Sequence, residues 1–128
     1  MAGRDWSVKD LERSAVPVRA RLDCTSGWYA EATWSGVTLA ELLPAGQLAA
    51  ATSVRVTSVT GYTRLFPASE APQLWLATAV EGNRLSAGAG SPVRLVAPHR
   101  RGFWWVKWVR SVELIDRPAW AQLPFPPQ

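Results

Sequence analysis

The chain has 128 residues, 48% of them apolar and 19% charged; that length supports one hydrophobic core, and that balance excludes a disordered or membrane-embedded class. One cysteine, Cys24, and one histidine, His99, exclude an internal disulfide and any zinc or iron–sulfur site built from the protein alone, so a metal has to bring ligands with it. Fourteen basic against ten acidic residues leave a net charge of +4, which suits an anionic partner: a phosphate-bearing cofactor, an oxyanion, nucleic acid or a membrane surface.

Ser7, with Asp10 three residues on and Val8 and Leu11 at helical spacing, predicts a short helix closed by Pro17. From 18 to 24 apolar residues alternate with Arg19, Arg21 and Asp23, which predicts a half-buried strand with Cys24 at its end on the core side. Residues 25–36 contain two glycines and predict a loop. Thr38 and Glu41 then form a capping box for a helix through Leu39, Leu42 and Leu43 that stops at Pro44 and Gly46. Strands are predicted over 52–59 and 62–67, a short turn or helix over 68–73, and a strand buried on both faces over 74–80. A turn at Glu81-Gly82-Asn83 and a glycine-rich loop over 84–91 lead to a strand over 92–97, and residues 103–116 read as strand, brief turn and strand. The pattern is α+β, mixed short sheets with a few short helices, in one domain over 1–128. No apolar run approaches the roughly 20 residues that cross a bilayer, and the first ten residues lack the apolar core of a signal peptide. A soluble domain is expected, compatible with being a piece of a longer or tethered protein, since it leaves through the proline-rich "LPFPPQ".

Cys24 has two readings. A free cysteine is most often a small buried hydrophobe; at a strand end before a Thr-Ser-Gly turn, exposed amides also favour the thiolate, a nucleophile or metal ligand. As a nucleophile it has only His99 for a base, with no evident orienting partner. "AGAGSPVR" matches neither a P-loop nor a full dinucleotide fingerprint. From Arg94 to Lys107, four basic side chains and His99 lie within fourteen residues, interleaved with Phe103, Trp104 and Trp105 and followed by Trp108. This stretch suits a solvated basic turn beside a tryptophan-rich core, or a surface for single-stranded nucleic acid.

Several segments in order, Leu22-Asp23-Cys24-Thr25-Ser26-Gly27-Trp28, Trp34-Ser35-Gly36-Val37, Gly61-Tyr62-Thr63, Gly90-Ser91-Pro92-Val93-Arg94 and Val106-Lys107-Trp108, resemble the molybdopterin-binding oxidoreductase domain of the sulfite oxidase family, in its short bacterial form. The resemblance runs from Leu22 to Asp116. It implies the sulfite-oxidase-type fold, a molybdenum–molybdopterin cofactor, and two-electron oxygen-atom transfer on a small anionic or sulfur-containing substrate, an oxyanion or a sulfoxide. It makes Cys24 the protein thiolate on molybdenum, and Arg94 and Lys107 the grips on the pterin and its phosphate. Trp105 and Val106 would offer backbone groups to the cofactor; His99, Arg100 and Arg101 would lie near the phosphate or substrate. Tyr62 is a candidate proton or hydrogen-bond donor near the metal, and Trp28 and Tyr29 are candidate pocket walls. The family further implies an electron-transfer partner such as a haem protein, an extracytoplasmic or membrane-tethered setting, and no nucleic acid. Two departures, Ala89 where relatives often place His or Asn and Thr60 where many have an acid, support the alternative of a non-catalytic module of the same fold that acts in binding or assembly.

Overall fold

A computed structural model describes residues 6–23 and 29–122. Helix α1 (Val8–Ser14) begins as its sequence dictates: the Ser7 hydroxyl accepts from the Asp10 amide at 3.1 Å, and the Asp10 carboxylate accepts from the Ser7 amide at 3.0 Å. Two backbone donors with no helical partner are satisfied this way, and Leu11 buries the helix's inner face.

Strand β1 (Val16–Asp23) pairs antiparallel with β2 (Tyr29–Thr38), in a register running from Val16 opposite Gly36 to Asp23 opposite Tyr29. The first half of β2 corrects the expected loop. Its small and polar residues carry a weak alternation by themselves, and pairing along all of β1 makes the strand. Beyond it, β2 pairs with β5 (Trp75–Val80) through a shift between Ser35 and Gly36. There a Cβ on Gly36 would lie 2.9 Å from the Leu76 carbonyl oxygen, so only glycine lets the strands approach. Strand β6 (Asn83–Arg84) returns along β5 after Glu81 and Gly82, both left-handed at φ 50° and 81°, the geometry of a two-residue hairpin turn. Strand β7 (Arg94–Val96) pairs with the other stretch of β5.

A second sheet has the order β4-β3-β8, from β3 (Ser53–Ser58), β4 (Thr63–Pro67) and β8 (Val109–Ile115). Helix α2 (Leu39–Leu42) starts where Thr38 caps the Glu41 amide at 3.2 Å. Pro44 does end it, but α3 (Ala45–Ala50) follows at once, because a proline that cannot continue one helix is well placed just before the next. Residues 102–104 form a 3₁₀ turn, and only 109–115 of the last stretch is strand; strand propensity over 103–108 yields there to the packing of Trp104 and Trp105.

One core cluster draws Trp34, Leu76 and Leu95 from the first sheet, Val54, Val56 and Phe66 from the second, and Leu39, Trp105 and Val106 from the connections. Phe66 is wholly buried, and replacing it by alanine would cost about 3–5 kcal/mol. No helix among the described residues is long and apolar enough to cross a membrane.

Candidate functional site

The β3–β4 turn is drawn tight by its own polar groups. The Ser58 amide donates to the Tyr62 carbonyl at 2.8 Å, the Gly61 amide to the Ser58 carbonyl at 3.0 Å, and the Thr60 amide and hydroxyl to the Ser58 hydroxyl at 3.2 and 3.1 Å. Ser58, Thr60 and Tyr62 thereby form one wall of an open cleft of about 320 Å³; Gly102, Trp105, Lys107 and Trp108 line the rest. Burial raises the Tyr62 phenol above its ordinary value, with the nearby Arg64 cation pulling the other way. The hydroxyl is therefore neutral at physiological pH and able to donate.

Arg94 is 95% withdrawn from solvent, with 5% exposure. One of its terminal nitrogens donates to the Ala89 carbonyl at 3.0 Å. The guanidinium lies 5.4 Å from the Trp34 ring and 5.6 Å from that of Trp105, which themselves meet edge-on at 5.6 Å. Arg94 thus stands one ring behind the cleft. The neighbouring glycine is a requirement of that packing: at Gly90 (φ 113°) a Cβ would come within 3.0 Å of Arg94 Cβ and 3.3 Å of Lys107 Cβ. Among the described residues no carboxylate pairs with Lys107, whose ammonium sits 5.7 Å from the Trp108 ring.

The rest of the basic stretch takes a different course. His99 and Arg100 both bond Glu70, Arg100 at 2.7 Å to the second carboxylate oxygen. Burial raises the Glu70 pKa, but the hydrogen bonds and charges of Arg100 and His99 outweigh it and hold the carboxyl below its usual range. Arg100 also lies over Trp104 at 4.3 Å, and the buried Arg64 over the same ring at 4.2 Å. Burial lowers the Arg64 pKa, Tyr62 opposes that, and Arg100 adds to it. His99 lines a separate hollow with Pro72, Gln73, Trp75 and Pro98, while Arg101 is exposed beside Gly102.

Of the residues singled out from the sequence, the fold brings Tyr62, Trp105 and Lys107 to one cleft, with Arg94 behind it, and sets His99 and Arg100 on Glu70. Val106 is buried, its amide donating to Trp104 and its carbonyl accepting from Leu95 at 3.1 and 2.8 Å. Cys24 and Trp28 lie outside the described residues, as does the Tyr29 side chain; Cys24 follows Asp23, the last paired residue of β1. Sequence reasoning missed Ser58, whose hydroxyl organises the turn; a serine ending a strand gives no signal of that. It also left Trp34 as a motif residue, although its indole N–H is buried and has no hydrogen-bond partner among the described residues.

A family model described as an oxidoreductase molybdopterin-binding domain matches residues 2–122. No curated protein matches the chain. Among solved structures it is similar to the sulfane dehydrogenase SoxCD from Paracoccus pantotrophus, at 24% identity and a TM-score of 0.76 over 88% of this chain. This likeness shows a shared fold, and the chain spans only 35% of that protein's chain. The match over nearly the whole length, on a fold of sulfite-oxidase type, means that the chain belongs to the family of molybdopterin-binding oxidoreductase domains.

Proposed function

We propose that this domain holds one mononuclear molybdenum–molybdopterin at the cleft of Tyr62, Trp105 and Lys107 and carries out two-electron oxygen-atom transfer on a small sulfur-type oxyanion or sulfoxide. The observation that carries the reading is the convergence of those three side chains on one cleft with the buried Arg94 one ring behind. Family membership supports the cofactor, and the shared fold with a sulfane dehydrogenase supports a sulfur substrate.

The residues present suit such a group. A cleft of about 320 Å³ falls within the range of small-molecule sites, about 300–1,000 Å³. Its aromatic walls match a flat heterocycle, and its hydroxyls and ammonium match polar edges and a phosphate.

In this reading Lys107 grips the phosphate as a point charge, and Arg94 fixes Trp105 while adding positive potential that draws anions. Cys24 serves as the soft thiolate ligand. When bound, the cofactor supplies the oxygen-transfer and redox chemistry. Tyr62 donates a hydrogen bond to an oxygen of the substrate, and Trp105 with Trp108 excludes water from the cleft. Trp105 borders the cofactor, while Val106, buried behind it with its amide and carbonyl bonded to Trp104 and Leu95, supports that wall rather than offering backbone groups; His99 and Arg100 act through Glu70 to hold the loop, and Arg101 adds to the positive field at the mouth. Electrons pass to or from a separate partner such as a haem protein, and the domain works outside the cytoplasm or tethered to a membrane subunit.

The test is metal and pterin analysis of the chain made in a cell that synthesises molybdopterin, with turnover measured on sulfite and on a sulfoxide. Molybdenum near one per chain, lost in Cys24→Ser, is the expected result. A native chain without molybdenum favours the non-catalytic module.

A further inference from the structure

Trp108 has a left-handed backbone, φ 52°, a conformation that bulky residues adopt rarely and at a cost of order 1–3 kcal/mol unless the surroundings hold them there. The surroundings do hold it. Its indole N–H donates to the Ala87 carbonyl at 2.8 Å, and its carbonyl accepts from the Val59 amide at 2.9 Å. Its own amide reaches the Gly90 carbonyl at 3.4 Å. One residue therefore ties the glycine-rich turn, the β3–β4 turn and the start of β8 together, and it lines the cleft.

The backbone hydrogen bonds on either side of it show what the strain does. The Val109 amide bonds the Val93 carbonyl at 2.9 Å, and the Leu95 amide bonds the Val106 carbonyl at 2.8 Å. Between those two bonds lies Arg94 on one side and both Lys107 and Trp108 on the other. Two residues opposite one is the count of a β-bulge, here between segments not paired with each other as strands, and such an offset bends the chain and re-aims a side chain. Here the extra residue separates the two cations: Arg94 goes into the core against Trp34 and Trp105, while Lys107 opens onto the cleft.

We infer that Trp108 is a positioning residue, whose strained backbone forms the bulge that points Lys107 at the cofactor's phosphate. The inference rests on the cofactor reading above. Two variants separate backbone from indole. Trp108→Gly accepts the left-handed conformation and removes the ring; Trp108→Val keeps an apolar side chain but, being β-branched, opposes that conformation. In the loaded full-length chain, Trp108→Val should release molybdopterin on the order of ten- to a hundredfold faster, and Trp108→Gly markedly less so. Adding Trp108→Val to Lys107→Ala should produce no further loss, because both remove one interaction; a merely structural defect would add to it.

A second readout needs no cofactor. In the unloaded protein the Lys107 side-chain NMR signals should move in both variants, because each removes the ring 5.7 Å from the ammonium, and should move clearly further in Trp108→Val, where the backbone shifts as well. Equal effects of the two variants, on release or on the Lys107 signals, or additivity with Lys107→Ala would overturn the inference. If the native chain binds no molybdopterin, the cofactor reading fails, and the Lys107 signals alone decide whether the bulge aims that side chain. Should Trp108→Val not fold, Trp108→Ala, a milder opponent of the same backbone, replaces it.

Discussion

Two cationic regions lie close in the chain and have opposite fates. At one, His99 and Arg100 meet Glu70, and Arg100 lies on Trp104. At the other, Arg94 is packed among rings and Lys107 faces a cleft with no carboxylate pairing it among the described residues. A guanidinium already bonded by a carboxylate has spent most of its pull on an incoming anion, whereas an ammonium beside low-dielectric walls keeps it. Charge count does not locate an anion site; the absence of a local counter-ion does.

The largest break in that comparison is Arg94→Ala. It removes a buried side chain between two tryptophans and the donor to Ala89, so we expect about 2–4 kcal/mol less stability by chemical denaturation, with loss of the cofactor. Lys107→Ala should separate the two effects: cofactor retention falls at least about tenfold, while the unloaded chain unfolds within about 0.5 kcal/mol of native. A large stability loss in Lys107→Ala would mean that its charge is part of the scaffold after all.

Glu70→Gln sharpens the other side. It removes the charge that His99 and Arg100 share, and at neutral pH we expect a loss of about 1–2 kcal/mol, with molybdenum content unchanged. The sign of the pH dependence follows from the lowered carboxyl value. The folded state favours the carboxylate, so the contribution is full above the ordinary glutamate range near 4.3 and disappears as pH falls through the lower folded value. Denaturation curves of native and Glu70→Gln protein should therefore differ at pH 7 and approach each other as pH falls below the ordinary glutamate range. Cofactor loss in Glu70→Gln at neutral pH would place the Glu70 region in the site itself.

Much of the fold was legible because its signals are local. Ser7 with Asp10 and Thr38 with Glu41 are caps readable within four residues, and Val18 and Ala20 against Arg19 and Arg21 announce β1 by alternation. The family motifs likewise marked Arg94, Lys107 and Tyr62. The split of the basic stretch was not legible, since it depends on Glu70, thirty residues before Arg100. The early part of β2 was lost because Ala30, Ala32 and Gly36 form a strand only by partnership with β1 and β5. Trp108 offered no signal, because a left-handed backbone is written in sequence by glycine or asparagine, and here tertiary bonds impose it on tryptophan.

The smallest expected effect concerns Tyr62, and it probes how dry the cleft is. Burial lifts the phenol, and Arg64 only partly offsets that; the folded state thus favours the neutral form. Any stability this confers is complete below the ordinary tyrosine value of about 10 and is lost as pH rises through the higher folded value. The chain has two tyrosines, Tyr29 and Tyr62, so the ultraviolet difference between native and Tyr62→Phe protein isolates one phenol, and its midpoint should lie above 10. Tyr62→Phe should change stability by no more than about 0.5 kcal/mol and leave the cofactor in place, yet slow turnover about tenfold, the worth of one hydrogen bond to the reacting substrate. A midpoint below 10 would mean that the Arg64 cation governs this phenol, not the dry wall. The hydroxyl would then lean toward ionisation, and its part as a donor to an anionic substrate would fall with it.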